Sequence, residues 1–246
     1  MEDRETARKT VSFPLPAIPC PLVLTMQFKN DTEMFNKMTE KLYSSVISDI
    51  LDGLGIRQHT LSRQIRPLYD GIVLTGRAMP ILMADVFEIY PEPYKLMIEA
   101  MDSLKEGQIA LVCANGSTRA ALWGELFSTA TRARGARGVI IDGLCRDVRV
   151  IREMRFPVFA IGVSPLDSMG RSVAIAYNCP VESGDATIHP GDILFADPDG
   201  IVVIPRAVEK EVITRAFEKV EKENLVREEL QRGMLLGEAW RKYKVL

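Results

Sequence analysis

The stretch at residues 115–149 restricts the possible folds of this chain more than any other. After a polar turn, small and apolar side chains in residues 118–133 recur at spacings of three and four, which predicts a helix with one buried face. Gly135 then suits the C-cap of that helix. The β-branched run at 139–141 predicts a short buried strand that ends at Asp142. A helix followed directly by a buried strand is typical of an α/β fold.

Polar and charged side chains cluster directly after this predicted strand. They are Asp142, Cys145, Arg146 and Asp147. Because ligands of open α/β sheets bind beyond the carboxyl ends of the strands, the cluster predicts a binding site. The alternative is that Arg146 and Asp147 only begin a surface helix, whose dipole favours an acidic residue near its first turn. The local pattern leaves both interpretations open.

Apolar segments on both sides extend the pattern. Strands are predicted at 109–114 and 156–162, and a short helix is predicted at 147–154. With the helix at 118–133 and the strand at 139–141, the order is strand, helix, strand, helix, strand. That order predicts a βαβαβ unit with a parallel sheet and right-handed crossovers.

The second half of the core has a different pattern. Two short apolar segments, 193–196 and 201–204, flank the sequence Asp-Pro-Asp-Gly at 197–200, which suits a hairpin turn. We therefore interpret Asp197 and Asp199 as turn formers. An antiparallel hairpin added to a parallel unit predicts a mixed sheet.

Composition divides the chain into an extended N-terminal arm at 1–30, an α/β core domain at 31–205 and a C-terminal helical extension at 206–246. Prolines interrupt the apolar run at 11–26, so this run predicts neither a signal peptide nor a membrane span. In the extension, the densely charged residues 221–229 predict either a solvated helix face or a helix that reaches across a subunit boundary.

Charge and cysteine usage limit the expected partners and compartment. A formal net charge of −2 and a pI near 5.9 provide no basic excess for binding phosphate backbones, so we expect no nucleic-acid partner. With 47% apolar and 26% charged residues, the chain is expected to be soluble and globular, with no membrane partner. The cysteines lack CxxC spacing and the histidines are far apart, which argues against a zinc site and predicts a reduced, cytoplasmic compartment. These residues are Cys20, Cys113, Cys145, Cys179, His59 and His189.

Ordered motifs over roughly residues 40–230 resemble one known family, the 4-hydroxy-4-methyl-2-oxoglutarate/4-carboxy-4-hydroxy-2-oxoadipate aldolases. These class II pyruvate aldolases share a fold with the regulator of ribonuclease E activity A. The residues that carry the resemblance are Gly116, Ala121, Gly124-Glu125-Leu126, Gly135, Gly138, Asp142-Gly143, Arg146-Asp147, Pro190-Gly191-Asp192, Asp197, Asp199-Gly200 and the run Ile201 to Pro205.

The resemblance implies a particular fold and assembly. The fold would be a swivelling ββα sandwich of the α/β class, with a mixed sheet around the central βαβαβ unit, the N-terminal arm before it and a long C-terminal helix after it. Members of this family self-associate as homotrimers or as homohexamers made of two trimers, with active sites between subunits. We therefore expect self-association here.

The resemblance also implies a metal site. Asp147 would bind a divalent metal, Mg²⁺ or Mn²⁺, and Arg146 would contact the pyruvyl group of the substrate. Glu125 occupies the place of an acidic residue that helps to hold metal-bound water. The aldolases carry Asp at that place, so the carboxylate of Glu125 lies one carbon–carbon bond farther from the backbone.

Other parts of the expected site come from backbone and from a neighbour. The amides immediately after Glu125, those of Leu126 and Phe127, would bind the substrate carboxylate, and Gly124 is a further expected substrate-binding residue. A glutamate on the C-terminal helix of a neighbouring subunit would complete the site, and Glu223 is the matching residue.

The expected reaction is retro-aldol cleavage of a 4-hydroxy-2-oxo acid to pyruvate through a metal-stabilised enolate, with oxaloacetate decarboxylation as a side activity. The small-molecule substrate is thus a 2-oxo acid. Two alternatives stay open: a lyase or hydratase that acts on a sugar-derived acid at the same site, and a non-catalytic regulator that binds a ribonuclease or another protein. Glu125 argues against the regulator, because that branch is expected to lack this acid.

Overall fold

The computed structural model describes residues 27–245, which form seven helices and eleven strands. Most of the predicted N-terminal arm therefore lies outside the described residues. The helices are α1 (Asp31–Lys41), α2 (Ser44–Gly53), α3 (Lys95–Ser103), α4 (Glu125–Ala133), α5 (Val148–Met154), α6 (Glu209–Gln231) and α7 (Leu236–Tyr243). The strands are β1 (Arg66–Pro67), β2 (Leu74–Asp85), β3 (Gln108–Cys113), β4 (Ala121–Trp123), β5 (Gly138–Cys145), β6 (Val158–Val163), β7 (Ser172–Tyr177), β8 (Val181–Ser183), β9 (Ala186–Ile188), β10 (Ile193–Ala196) and β11 (Ile201–Ile204).

Nine of these strands form one mixed sheet, in the order β1-β6-β5-β3-β2-β10-β11, with β4 paired to β5 and β7 paired to β2. Strands β3, β5 and β6 are parallel neighbours, and α4 and α5 connect them. The predicted βαβαβ unit is therefore confirmed. The hairpin of β10 and β11 is antiparallel and joins β2, which confirms the predicted mixed α/β sheet.

Strand β5 is buried on both faces of this sheet. Val139 and Ile141 pack with α3 and α5 on one face, whereas Ile140 packs with Phe159 beneath the β8–β9 hairpin on the other. Apolar residues without polar alternation are the expected pattern for a central parallel strand.

A third apolar cluster lies between β10, β11 and helices α1, α2 and α6. Helix α6 contributes Val212, Phe217 and Val220 to it, so the long predicted C-terminal helix packs on the sheet-bearing part of the chain. The domain boundary at residue 205 stays a prediction. Within residues 27–245, no helix is both long and apolar enough to cross a membrane.

The prediction of a single helix at 118–133 was wrong in its first part. Residues Ala121–Trp123 form β4, and the helix begins only at Glu125 because Gly124 is extended, with φ −151° and ψ −167°. Strand β4 is fully buried beside β5. A three-residue buried strand has too few residues to show a period, so its apolar side chains fit the helical spacing equally well.

The predicted end of the following strand was also wrong, because β5 continues through Asp142 to Cys145. Asp142 is buried and accepts a hydrogen bond from the hydroxyl of Ser183 at 2.8 Å. Burial raises the pKa of its carboxyl group. Gly143 allows β5 to continue beneath β4, since a Cβ there would lie 2.7 Å from Cδ1 of Leu122.

Asp197 connects the β10–β11 hairpin to α2. Its carboxylate accepts hydrogen bonds from the backbone N–H and the hydroxyl of Ser44, at 2.7 and 2.8 Å. It also accepts the backbone N–H groups of Asp199 at 2.9 Å and Gly200 at 3.3 Å within the turn. The predicted turn role of Asp197 is confirmed. Its hydrogen bonds to Ser44, which hold the turn against α2, are a second role.

We expect Asp197→Ala to lower the free energy of unfolding by about 2–3 kcal/mol, because it leaves the buried donors of Ser44 without acceptors. Chemical denaturation of wild type and variant measures this difference. Asp199→Ala, an exposed turn substitution, is the control and should change stability by less than about 0.5 kcal/mol. Equal effects of the two substitutions would contradict the proposed connection.

Candidate active site

A cavity of about 280 Å³ lies beside the carboxyl end of β5, where α4 and α5 begin. Three charged side chains line it: Arg146, Asp147 and Asp167. The remaining lining residues are Tyr94, Ile98, Ala121, Leu122, Trp123, Gly124, Leu126, Phe127 and Ser168. The structure thus brings Arg146 and Asp147 together with the start of α4, whereas Asp142 and Cys145 do not line this cavity.

Asp147 connects β5 to α5 in an unusual backbone conformation. Its φ of 61° and ψ of 29° lie in the left-handed region, which Asp tolerates better than most residues. One carboxylate oxygen, Oδ2, accepts the backbone N–H of Glu125 at 3.0 Å. Among residues 27–245, no hydrogen-bond donor reaches the other oxygen, Oδ1. The carboxylate is therefore fixed through one oxygen and available through the other.

Gly124 is required for this contact. A Cβ at that position would lie 2.4 Å from Oδ2 of Asp147 and 3.2 Å from Cγ of Arg146. Only a residue without a side chain lets the start of α4 lie against the Asp147 carboxylate.

Arg146 bridges the two acidic groups of the cavity. Its backbone N–H donates to the carbonyl of Trp123 at 2.8 Å, which ties the end of β5 to β4. Its Nη1 donates to Oδ1 of Asp167 at 2.9 Å, and its Nε lies 3.6 Å from Oδ2 of Asp147. The guanidinium is partly exposed to the cavity, so it can also contact a ligand.

Three charged or polar cavity residues were missed by the sequence reasoning: Tyr94, Asp167 and Ser168. The hydroxyl of Tyr94 donates a hydrogen bond to Asp167, whose carboxylate also accepts the backbone N–H of Met169 at 3.3 Å. Asp167 follows β6, which neighbours β5 in the sheet. The rule that carboxyl ends of adjacent parallel strands meet could have indicated Asp167, whereas no sequence signal indicated Tyr94.

The hydrogen bond between these two residues shifts both pKa values. Burial, together with the bond to Asp167 and its charge, raises the pKa of Tyr94 to about 12. Burial opposes ionisation of Asp167, but the hydrogen bond from Tyr94, the amide of Met169 and the charge of Arg146 outweigh it and lower the pKa of Asp167. Tyr94 is thus neutral and Asp167 is ionised at neutral pH.

Helix α4 presents its first turn to the cavity. Ser128 is the first residue whose backbone N–H bonds within the helix, to the carbonyl of Gly124 at 3.1 Å. The N–H groups of Leu126 and Phe127 precede it and have no intrahelical acceptor. The start of α4 therefore offers backbone donors together with the positive end of the helix dipole.

Two predicted site residues, Glu125 and Glu223, do not line the cavity of Arg146, Asp147 and Asp167. The carboxylate of Glu125 accepts the hydroxyl of Thr129 at 2.7 Å and borders a shallower depression on the other side of Asp147, next to Arg149. Glu223, on α6, accepts the hydroxyl of Tyr43 and lies 3.7 Å from Lys219. Glu223 was expected to act in a neighbouring subunit, so its catalytic role stays a prediction.

The sequence profile of the RraA-like family, described as Aldolase/RraA, matches residues 44–203, which include every residue that lines the cavity. The chain belongs to the RraA-like family. A "Putative 4-hydroxy-4-methyl-2-oxoglutarate aldolase" of Halalkalibacterium halodurans is 28% identical over 176 residues, which is 72% of this chain and 79% of that protein. Protein DlpA of Legionella pneumophila is 29% identical over 200 residues, which is 81% of this chain but only 32% of DlpA.

A solved RraA-like structure has the same fold. It is RraAS2 of Streptomyces coelicolor, described as an unusual member of the RNase ES inhibitor RraA protein family, with a TM-score of 0.72 and 27% identity. The match covers 82% of this chain and 99% of RraAS2. The RraA-like family thus contains proteins named as aldolases and proteins named as ribonuclease inhibitors, so function must be argued from the site.

We expect Gly124→Ala to lower the free energy of unfolding by roughly 1–3 kcal/mol, because the added methyl group would displace the Asp147 carboxylate from the amide of Glu125. Urea denaturation measures the loss. Gly237→Ala in α7 is the matched control, since a Cβ there meets no atom within 4 Å. The control should be as stable as wild type or slightly more stable, because alanine favours a helix over glycine. A similar loss in both variants would refute the close contact.

We expect the Tyr94 phenol to titrate near pH 12 in wild type and at a lower pH in Asp167→Asn, which removes the charged acceptor. Because the folded pKa exceeds the value of about 10 in an unfolded chain, the neutral phenol contributes stability that is complete below pH 10 and is lost as pH rises toward 12. NMR titration of tyrosine labelled at Cζ measures this pKa. The signal of Tyr69 is the internal control, since burial is the largest cause that raises its pKa. An unchanged Tyr94 titration in the variant would contradict the coupling.

Proposed function

We propose that this protein is a divalent-metal-dependent lyase that cleaves a 4-hydroxy-2-oxo acid to pyruvate, with oxaloacetate decarboxylation as a side activity. The observation that carries this proposal is the cavity in which Arg146, the available carboxylate oxygen of Asp147 and the first turn of α4 meet. The names of several relatives as aldolases support the same reaction class.

The residues present fit a hard divalent cation such as Mg²⁺ or Mn²⁺. Oδ1 of Asp147 is a carboxylate oxygen without a protein donor, and the carboxylate is already oriented through Oδ2. No group of three or more His, Cys, Asp or Glu side chains within residues 27–245 is arranged to hold a metal. A single carboxylate with several waters is nevertheless a common Mg²⁺ arrangement, and it leaves positions open for a chelating 2-oxo acid. When bound, the cation supplies a Lewis acid next to the 2-oxo group.

Arg146 acts on the same end of the substrate. Cleavage breaks the bond between C3 and C4, leaves its electron pair on the pyruvyl part as an enolate, and releases the C4 oxygen as a carbonyl. The guanidinium of Arg146 places fixed positive charge where the enolate oxygen develops its negative charge. Since Asp147 and Asp167 flank the guanidinium, its orientation is established before the substrate binds.

The start of α4 would bind the substrate carboxylate. The N–H groups of Leu126 and Phe127 supply donors at the positive end of the helix dipole, as in other anion sites at helix N-termini. Glu125 is our candidate for proton transfer through a water, from the C4 hydroxyl and then to C3 of the enolate. Its carboxylate must leave Thr129 to do so, which is a simple side-chain rotation on an exposed helix face.

We further propose that the protein acts as a homotrimer or homohexamer in a reducing, cytoplasmic compartment. Leu126 is 77% exposed beside the cavity, which suits coverage by a neighbouring subunit that contributes Glu223. The three cysteines within residues 27–245, Cys113, Cys145 and Cys179, are free thiols, which suits a reducing compartment.

A second candidate function is a regulator that binds a ribonuclease, and the likeness to RraAS2 favours it. Under this alternative the cavity would have no catalytic role. A lyase or hydratase acting on a sugar-derived acid is a third candidate, since stabilisation of an enolate serves dehydration as well as aldol cleavage.

We expect Asp147→Asn to lower metal-dependent pyruvate release from oxaloacetate and from 4-hydroxy-2-oxo acids by about 100-fold or more, because the carboxylate ligand is lost. Arg146→Lys should lose about 100-fold as well, since an ammonium cannot replace the fork of guanidinium donors. Pyruvate is measured with Mg²⁺ or Mn²⁺ present and after EDTA treatment.

Asp199→Ala, which removes an exposed carboxylate of the β10–β11 turn, is the control and should keep wild-type turnover. Full activity in Asp147→Asn would contradict the proposed mechanism. Absence of pyruvate in wild type, combined with capture of a purified ribonuclease, would favour the regulator.

A further inference from the structure

The cavity also indicates which substrates fit beyond the pyruvyl end. This inference rests on the proposed function. We propose that the site prefers 2-oxo acids whose distal part, from C4 onward, is apolar and uncharged, and that it disfavours a second carboxylate there. Such a preference would separate this protein from relatives named as 4-hydroxy-4-methyl-2-oxoglutarate aldolases, whose named substrate carries a second carboxylate.

The first argument is the distribution of charge. Among the described residues, Arg146 is the only cationic side chain that lines the cavity. Its guanidinium already lies between Asp167, at 2.9 Å, and Asp147, at 3.6 Å from Nε. In the proposed binding mode, the pyruvyl end of the substrate uses the remaining N–H donors of this guanidinium. A second carboxylate would therefore find no cation of its own and would meet the negative charge of Asp167.

The second argument is that the polar groups beside Asp167 are already engaged. The hydroxyl of Tyr94 donates its single proton to Asp167. The indole N–H of Trp123 donates to the hydroxyl of Ser128 at 2.8 Å, so this donor is already used. Ser168 is the remaining neutral side chain with a hydroxyl on the wall. One hydroxyl cannot replace the hydration shell that a carboxylate loses when it enters the cavity.

The third argument is the apolar surface on the same wall. Ile98 on α3 is 51% exposed, and it lines the cavity together with Leu126 and Phe127 on α4. Phe127 packs on Trp123 with ring centroids 5.5 Å apart, which fixes the ring as part of this wall. A hydrocarbon substituent on the substrate would bury these side chains from water. In a hydrophobic pocket, one additional methylene changes discrimination between substrates by roughly 10- to 200-fold.

A substrate extending to the other side of Asp147 would meet a different surface. The depression there contains Arg149, but it also contains the carboxylate of Glu125, and it is more open to solvent. Arg149 is thus the cation that would bind a second carboxylate if the substrate turned in that direction, and the experiment must test it.

The test compares two ligands of equal chain length, 2-oxopentanoate and 2-oxoglutarate, which differ only in the terminal carboxylate. Calorimetry with the full chain in its own assembly, at saturating Mn²⁺, should find 2-oxopentanoate bound at least about 10-fold more tightly. Ile98→Arg, which adds a cation to the apolar wall, should reverse the preference.

Ile175→Arg is the matched control, because Ile175 on β7 has the same 51% exposure and does not line the cavity. Ile175→Arg should keep the wild-type ratio of affinities for 2-oxopentanoate and 2-oxoglutarate, and Arg149→Ala should keep this ratio as well. Pyruvate release from 4-hydroxy-4-methyl-2-oxopentanoate and 4-hydroxy-4-methyl-2-oxoglutarate is measured in parallel with the same proteins.

Equal or tighter binding of 2-oxoglutarate by wild type would overturn the inference. If Arg149→Ala then lost this binding, the substrate would extend toward the depression that contains Arg149. Tighter binding of 2-oxoglutarate that persists in Arg149→Ala would also overturn it and would point to a cation from a neighbouring subunit. Preference for 2-oxopentanoate without any pyruvate release would support the inference and refute the lyase. Binding of neither ligand would overturn both the substrate preference and the proposed lyase function.

Discussion

The hydrogen bond from the backbone N–H of Glu125 to the carboxylate of Asp147 joins the two helix starts on which the candidate site depends. It ties the first residue of α4 to the residue that connects β5 to α5. Two local conditions make it possible: the absence of a side chain at Gly124 and the left-handed backbone of Asp147. The left-handed backbone of Asp147 is unusual for a residue with a side chain, and such conformations cluster at functional sites.

This arrangement determines what each oxygen of Asp147 can do. Because Oδ2 is bound to the amide, Oδ1 is left for a ligand, and the orientation of the carboxylate does not depend on that ligand. Arg146 is adjacent to Asp147 in sequence. Its guanidinium donates to Asp167, which in turn accepts the hydroxyl of Tyr94. Asp147, Arg146 and Asp167 thus form a row of alternating charges. Among residues 27–245, no other cationic side chain lines this cavity.

Much of this site could be predicted from residues that follow each other closely in the chain. The strand at 139–141 and the charges at 146 and 147 indicated the edge of the sheet where the cavity lies, because parallel strands bring their carboxyl ends together. The first turn of α4 was predicted too early, at residue 118. Strand β4 is buried against β5, and three apolar residues carry the same signal in a strand as in a helix.

The sequence by itself therefore determined the mixed α/β class, the βαβαβ unit, and the position of Arg146 and Asp147 directly after the central strand. Hydrophobic periodicity and glycine positions act over a few residues, so these features can be read without knowing the fold. Only the tertiary structure decided that Asp142 is buried under Ser183 and that Tyr94 and Asp167 join the cavity. Those contacts join positions 41 and 73 residues apart, and long-range pairing depends on how the whole sheet packs. The same dependence explains why the apolar wall of Ile98 and Phe127 could not be foreseen from the sequence.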